Sequence, residues 1–436
     1  MTTIFPPLSA WIKWIKTVMD KMDYISKIEE KLKDQSVYEQ ITKDPTKHIF
    51  DKIKVEADKL LALNKISLAQ HYELIGIEDL PSVRGQPKLH KKDNPMRLIT
   101  CSRNTITSPV SKFVFKVIKD LRSTVSGVVI NTTKFVDEIS KITLDKDERL
   151  ASLDIKELFD NIPVTRAVDL VIQRLSESKK LDGLPLTKTD VKRLILVSLN
   201  NSYFSFNGKY YRQSKGLPMG NALSPLIADI FMDDYLKTHL KEGNIEKEIY
   251  RYVDDILIVT KMDEQCLNDY VEKCNKIPGR IRFTFEFEQN DQISFHDTTL
   301  KRKAEPNKVI IKVRWFRKST AADRFLNFES AHGNSIKKNI VKNMVSRILQ
   351  TSKEPSELRE DLNKLKEMLL NSHYPSKEID HLIKEACESS NITQKSSTPA
   401  KDMKFTMVLP YVKGIEVLKR KLEKLGIKLY FSYPNK

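Results

Sequence analysis

The pattern of apolar and polar positions divides the chain into recognisable elements. Trp11, Ile15, Val18, Met22 and Ile25 fall at helical spacing within residues 10–30. They predict an amphipathic helix, lying on the protein's own body or on a membrane surface. Turn residues Gly85, Pro87 and Asn94-Pro95 precede a short strand at "MRLITC", and a helix follows Ser108-Pro109. Downstream, "ERLASLDI" reads as a strand, 165–178 and 188–200 as helices, and "YFSFNGKYYRQ" as a hairpin turning at Asn207-Gly208. A long helix over 222–241 is followed by strand patterns at 249–259, 281–288 and 308–316, and then by a mostly helical stretch over 332–387. Ser/Thr-rich residues 388–402 read as a linker, and the last segment scans as strand, helix, strand.

One stretch breaks the pattern. In "EIYRYVDDILIVT" (248–260) the adjacent acids Asp254 and Asp255 interrupt a β-branched and aromatic run. An unpaired buried carboxylate costs several kcal/mol, so the pair must sit at a hairpin tip or meet a cation. Asp233 and Asp234 serve as a contrast, because apolar residues at 230, 231, 235 and 236 leave them a polar helix face. That pair is expected to be solvated surface. A further acid, Asp154, ends the strand pattern in "LASLDIKELFDNIP".

Charge sharpens the picture. The net charge of 436 residues is +17, yet residues 84–122 alone carry +8 and residues 301–353 carry +11. Two basic segments thus hold the whole excess around a near-neutral remainder. Each could be a solvated face; together they suggest two walls of a polyanion channel, with Lys337 and Lys338 as backbone contacts. No stretch approaches the ~18 apolar residues of a membrane span. The four cysteines have no CxxC spacing, which argues against a zinc or disulfide framework and for an intracellular setting.

Asp154 and Asp254, supported by Asp255, fit a two-metal site. Two Mg²⁺ ions held ~3.5–4 Å apart stabilise the attacking and leaving oxygens of a phosphoryl displacement. Mg²⁺ favours a few carboxylates plus substrate phosphates, and Mn²⁺ is an admissible substitute. Between the acids, "YYRQSKGLPMGNALSPLIADIFM" (210–232) holds Gly216, Pro218 and Gly220 in a turn whose backbone can approach a ligand. The turn is either an ordinary strand–helix connection or a platform for template and nucleotide.

The order Asp154…Phe159, then Gln213-x-x-Gly216-x-x-Met219-Gly220-x-x-x-Ser224-Pro225, then Tyr252-Val253-Asp254-Asp255 resembles motifs A, B and C of reverse transcriptases. "GQPKLHKKDNPMRLIT", "LDIKELFDNIP", "VRWFRKSTAADRFLNFESAHGNSIKKNIV" and "VLPYVKGIEVLKRKLEKLGIKLYF" are similar to blocks of Penelope-like retroelements, relatives of telomerase-type enzymes. Phe295-His296-Asp297 departs from that family's Phe-Leu-Asp, and His296 reads as a strand residue. No GIY-YIG endonuclease signature is recognisable, so any nicking would need a separate endonuclease.

The resemblance implies an α+β right-hand polymerase with antiparallel palm and helical thumb. Residues 1–83 would form an N-terminal helical extension, 84–145 the fingers, 146–300 the palm and 301–387 the thumb with its primer grip. A linker (388–402) and a small αβ segment (403–436) complete the chain. The implied activity is RNA-directed DNA synthesis from an RNA template, a DNA primer and deoxynucleoside triphosphates, in the nucleus and away from membranes. Lys88 and Arg97 would face the triphosphate, and Phe159 would exclude a ribose 2′-hydroxyl. Gln213 and Gly216 would position template and nucleotide. Trp315, Phe316 and Arg317 are either a primer grip or core packing plus a surface charge. The alternative reading is an inactive retroelement copy that binds nucleic acid without turnover; an RNA-dependent RNA polymerase is disfavoured by Phe159 and "YVDD".

Overall fold

The computed structural model describes residues 19–88, 93–178, 181–240, 249–306, 308–318, 321, 323–392, 405–412, 415–425 and 427–432. Helix α1 (Lys21–Leu32) is capped by Asp20, whose carboxylate accepts from the Met22 amide at 2.7 Å. It buries Ile28 and Leu32, while Met22, expected on the apolar stripe, is 70% exposed. The predicted positions 11, 15 and 18 lie outside the described residues. The N-terminal region is also not purely helical. Strand β1 (Tyr38–Ile41) follows and precedes α2 (Thr46–Ala62) and α3 (Leu68–Ile75), the latter started by a Ser67–Gln70 capping box.

The hairpin of β2 (Ser82–Pro87) and β3 (Met96–Cys101) leads into α4 (Ser108–Ile118), which has Pro109 in its first turn. A 3₁₀ turn (Lys119–Thr124), α5 (Thr132–Ile139) and the two-residue β4 (Thr143–Leu144) connect to β5 (Arg149–Ile155). Next come α6 (Leu158–Asn161), α7 (Val164–Glu177), α8 (Lys188–Asn200), and the predicted hairpin of β6 (Tyr203–Phe206) and β7 (Lys209–Gln213). Its two turn residues, Asn207 and Gly208, both have positive φ (49° and 74°), as the tight hairpin requires. Helix α9 (Ser224–His239) is buried along nearly its whole length.

The strand pattern at 249–259 is in fact a hairpin, β8 (Ile249–Tyr252) and β9 (Asp255–Thr260). It is followed by α10 (Glu264–Lys276), β10 (Phe283–Phe287), β11 (Gln292–Phe295), β12 (Thr298–Glu305) and β13 (Lys308–Trp315). Three helices, α11 (Asn334–Thr351), α12 (Pro355–Leu370) and α13 (Ser376–Ile392), close the main body. Helix α13 runs five residues into the stretch expected to be linker. Last, β14 (Phe405–Pro410), α14 (Glu416–Lys424) and β15 (Ile427–Ser432) form a small unit with a parallel strand pair.

The described strands form four sheets. β1-β7-β6-β2-β3 draws the N-terminal strand beside the β6–β7 hairpin, and β10-β5-β9-β8 is the central sheet. A third sheet, β11-β12-β13-β4, runs through position 300, so the expected 300/301 boundary falls inside β12. The largest core unites α2, α4, α7, α8 and α9 with Ala151, Leu153, Ile155, Ile256 and Ile258 of the central sheet. The alternation of β5 explains this. Ala151, Leu153 and Ile155 point into that core, and Asp154 points to the opposite face. No described helix is long and apolar enough to cross a membrane.

Candidate functional site

Antiparallel pairing of β5 with β9 sets Asp154 directly opposite Asp255. Asp254 lies beside them in the two-residue turn Val253–Asp254, between paired Tyr252 and Asp255. Val253 adopts φ +58°, a left-handed conformation that a β-branched residue rarely takes. The carbonyl of Asp254 is fixed by the Ile155 amide at 3.0 Å. Hairpin tip and cation site were alternatives in the sequence; the tip is what the fold builds, and it gathers all three carboxylates at one sheet end.

That gathering has an electrostatic cost. Burial, then the charges of Asp254 and Asp154, push the Asp255 carboxyl up to about 6, against the opposing pull of Lys318. A cation between the acids would relieve it, so the donor set suits a hard divalent ion. As they stand, no group of three or more His, Cys, Asp or Glu side chains among the described residues closes on one point.

The turn after β7 packs against the segment after β5. Gly216 (φ +76°) would place a Cβ 2.6 Å from the Asp160 Cα, and the Leu217 amide donates to the Phe159 carbonyl at 2.7 Å. Gln213 is buried, its side-chain amide donating to the Lys215 carbonyl at 2.9 Å. It shapes the turn from within, which sets any action on template or nucleotide through the loop backbone. Two further residues, missed in the sequence, fasten the same loop. Asn221 donates to Ser198 Oγ at 3.0 Å and accepts from the Leu223 amide at 2.9 Å; the Ser102 hydroxyl donates to the Gly220 carbonyl. Asn221 carried no signal beyond standing in the Gly-rich turn.

Gly220 (φ +116°) presses on the Thr100 carbonyl of β3, and the Thr100 amide donates to Met219 at 2.9 Å. The β2–β3 hairpin is thereby tied to the loop. It carries Lys88, half-buried with its amide on the Pro95 carbonyl at 2.9 Å, and exposed Arg97 opposite Gln86. Phe159 is half-buried against the main core.

Residues 89–288 match the reverse transcriptase (RNA-dependent DNA polymerase) family. They form a reverse transcriptase domain. The match is to RNA-directed DNA polymerases, which are nucleotidyltransferases, and the fold is the α+β right-hand polymerase fold. Residues 324–384 match an animal helix-turn-helix domain. Among solved structures, telomerase from Candida albicans with a fragment of telomeric RNA is 12% identical. The alignment covers 79% of this chain and 65% of that one, with a TM-score of 0.47. Apo telomerase from Candida tropicalis is 12% identical over 85% and 62% of the two chains (TM-score 0.45). The Sicinivirus RNA-dependent RNA polymerase is 13% identical over 73% and 71% (TM-score 0.44). The chain spans between 55% and 65% of the telomerase chains it matches. No curated protein matches it in sequence.

Beyond the reverse transcriptase domain, several residues depart from expectation. Trp315 is buried in the core of α11, α12 and α13, its amide on Ser352 Oγ at 3.1 Å. Arg317 lies 5.9 Å from both the Trp315 and Phe325 ring centres and 3.9 Å from Asp323, and burial lowers its pKa. Phe316 is half-buried, its amide on the Asp297 carbonyl at 3.0 Å. Trp315 is thus packed in the core, one of the two readings that the sequence leaves open for this trio. Lys337, expected on a phosphate wall, is 6% exposed. Its stem turns inward, and its ammonium donates to the Ser330 carbonyl at 2.9 Å and sits over the Phe328 ring. Lys338 is exposed on α11, which has no Asp or Glu.

His296 is a turn residue (φ +55°) and not a strand residue; its ring centre lies 4.0 Å from that of Tyr252. The contrast pair also needs correction. Asp233 is 3% exposed and accepts from Ser126, Arg174 and Lys237, while Asp234 pairs with Arg166 at 3.2 Å. α7 and the 3₁₀ turn cover the Asp233 side of α9, so Asp233 is a buried anchor and not solvated surface, while Asp234 and Arg166 stay partly exposed.

Proposed function

We propose that the protein extends a DNA primer on an RNA template, taking deoxynucleoside triphosphates and two Mg²⁺ or Mn²⁺ ions. The observation that carries the reading is the pairing of Asp154 with Asp255 beside Asp254, in a reverse transcriptase domain. Asp154 and Asp254 would hold the ions, with Asp255 behind them. When bound, the ions would acidify the primer 3′-hydroxyl and neutralise the departing pyrophosphate. The chain's own residues do the placing. Lys88 and Arg97, on the hairpin tied to the 216–220 loop, would hold the triphosphate, Arg97 in bidentate fashion. Phe159 would fill the space of a ribose 2′-hydroxyl, and the Gly216 backbone would form the floor beneath the base. Residues 84–145, 146–300 and 301–387 would serve as fingers, palm and thumb, with Lys338 of the acid-free α11 on a phosphate. The family blocks quoted above support a Penelope-like lineage, acting in the nucleus.

The test is primer extension on matched RNA and DNA templates across a titration of Mg²⁺ and of Mn²⁺. Extension of the RNA-templated primer by wild type, abolished in Asp254→Asn with primer–template affinity retained, is the expected result. Tight binding with no extension under either metal would overturn the catalytic reading in favour of an inactive nucleic-acid-binding copy.

A further inference from the structure

Beneath the hairpin tip lies a residue that the proposed chemistry does not use. Arg251 is 2% exposed and is the largest fully buried side chain among the described residues. A buried guanidinium is expensive unless every face of it is engaged. Here one terminal nitrogen donates to the Val253 carbonyl at 3.0 Å, and the other donates to Asp229 Oδ1 at 3.0 Å. Asp229 belongs to α9, the helix launched from the Gly216–Gly220 loop. Its second oxygen lies 3.5 Å from the largely exposed Arg122. The Arg251 backbone is pinned too, its amide on the Gly127 carbonyl at 2.7 Å and its carbonyl taking the Val129 amide at 2.9 Å.

Val253 is the left-handed residue of the turn, and its carbonyl oxygen belongs to the peptide group that leads into Asp254. A β-branched residue does not hold φ +58° unaided, so a contact must hold it there. We propose that Arg251 is a positioning residue that clamps the Val253–Asp254 turn onto α9 and so fixes where the Asp254 carboxylate stands. The planar fork of arginine reaches a carboxylate and a carbonyl at once; an ammonium on a flexible stem lacks that geometry. The inference rests on the metal role proposed for Asp254, and it links that carboxylate to the helix that follows the nucleotide loop.

Two variants and two readouts test it. Arg251→Lys keeps the charge facing Asp229 and loses the fork. Arg251→Met with Asp229→Leu replaces the ion pair by an apolar one, which keeps the interior filled without an orphan charge. Mn²⁺ binding by electron paramagnetic resonance and single-nucleotide extension are measured on both, beside the unfolding midpoint in chelator. Expected is about tenfold weaker Mn²⁺ binding and a ten- to hundredfold lower extension rate, with primer–template affinity unchanged. Adding Val253→Gly, which adopts φ +58° without strain, should recover part of both in Arg251→Lys. Mn²⁺ affinity equal to wild type in folded variants overturns the clamp, whatever their stability. If wild type extends no primer while the variants still lose Mn²⁺ affinity, the polymerase reading fails and the clamp stands.

Discussion

Gly216 and Phe159 meet backbone to backbone. The Gly216 Cα faces the Phe159 carbonyl and the Asp160 Cα so closely that no side chain fits between them, and the next amide, Leu217, closes a 2.7 Å hydrogen bond. Two segments far apart in sequence thus form one surface, and the ring proposed to select the sugar sits on it.

Gly216→Ala should therefore be among the most damaging single-methyl changes in the chain. The new Cβ is crowded and the backbone that carries it is left-handed, and overpacking of this kind costs about 1–3 kcal/mol. Nucleotide KM should rise and the extension rate should fall at least tenfold, with template–primer affinity retained. Wild-type kinetics would show that the loop does not touch the nucleotide.

Phe159→Ala tests the sugar gate. Removing the ring should raise ribonucleotide incorporation about ten- to a hundredfold, with a smaller loss for deoxynucleotides. Because the ring also packs against the core, the comparison is made at matched folded protein. Equal losses for both nucleotides would make it packing alone.

Asp160 gives a pH signature beside that gate. Burial first, with Glu157 and Asp34 adding and Lys31 and Arg280 opposing, raises its pKa from 3.8 to about 6. Between pH ~4 and ~6 the native state then keeps a proton that the unfolded chain has lost, so this group makes stability fall as pH rises. Asp160→Asn should raise the unfolding midpoint at pH 7.5 and change it little at pH 4. A midpoint lowered at pH 7.5 would mean that the charged form is held by its neighbours.

Asp233→Asn should lower stability and leave chemistry intact. Burial alone would raise this pKa, yet hydrogen bonds from Lys237, Ser126 and Arg174 outweigh it and hold the group below the usual range. Stability from it is present above its unfolded pKa and is lost as pH falls through the lower folded value. The amide leaves Arg174 and Lys237 partly unanswered, a cost of about 1–3 kcal/mol. Chemical denaturation at pH 7 with extension assayed in parallel separates the two effects; unchanged stability would show that Asp233 is no anchor.

Lys338→Ala should reduce the salt dependence of template–primer affinity by about one unit of log–log slope. Lys337→Ala should leave that slope alone and cost stability, because its ammonium is already spent on the Ser330 carbonyl. The reverse result would exchange their roles.

The sequence by itself determined the elements and the order of the chemistry. Strand alternation placed Asp154 at a strand end, Asn207-Gly208 marked its hairpin, and the acids at 254–255 stood out because no apolar strand tolerates them uncompensated. Periodicity speaks for one element at a time. It states which side of a helix is polar, and leaves open whether another element covers that side. Only the tertiary structure set Asp154 opposite Asp255, through the register of β5 and β9. It covered the Asp233 side of α9, so Asp233 became a buried anchor, and it turned Lys337 inward. It also spent an arginine inside the protein, since the carbonyl of Val253 and the carboxylate of Asp229, 24 residues apart in the chain, converge only when the hairpin lies on the helix.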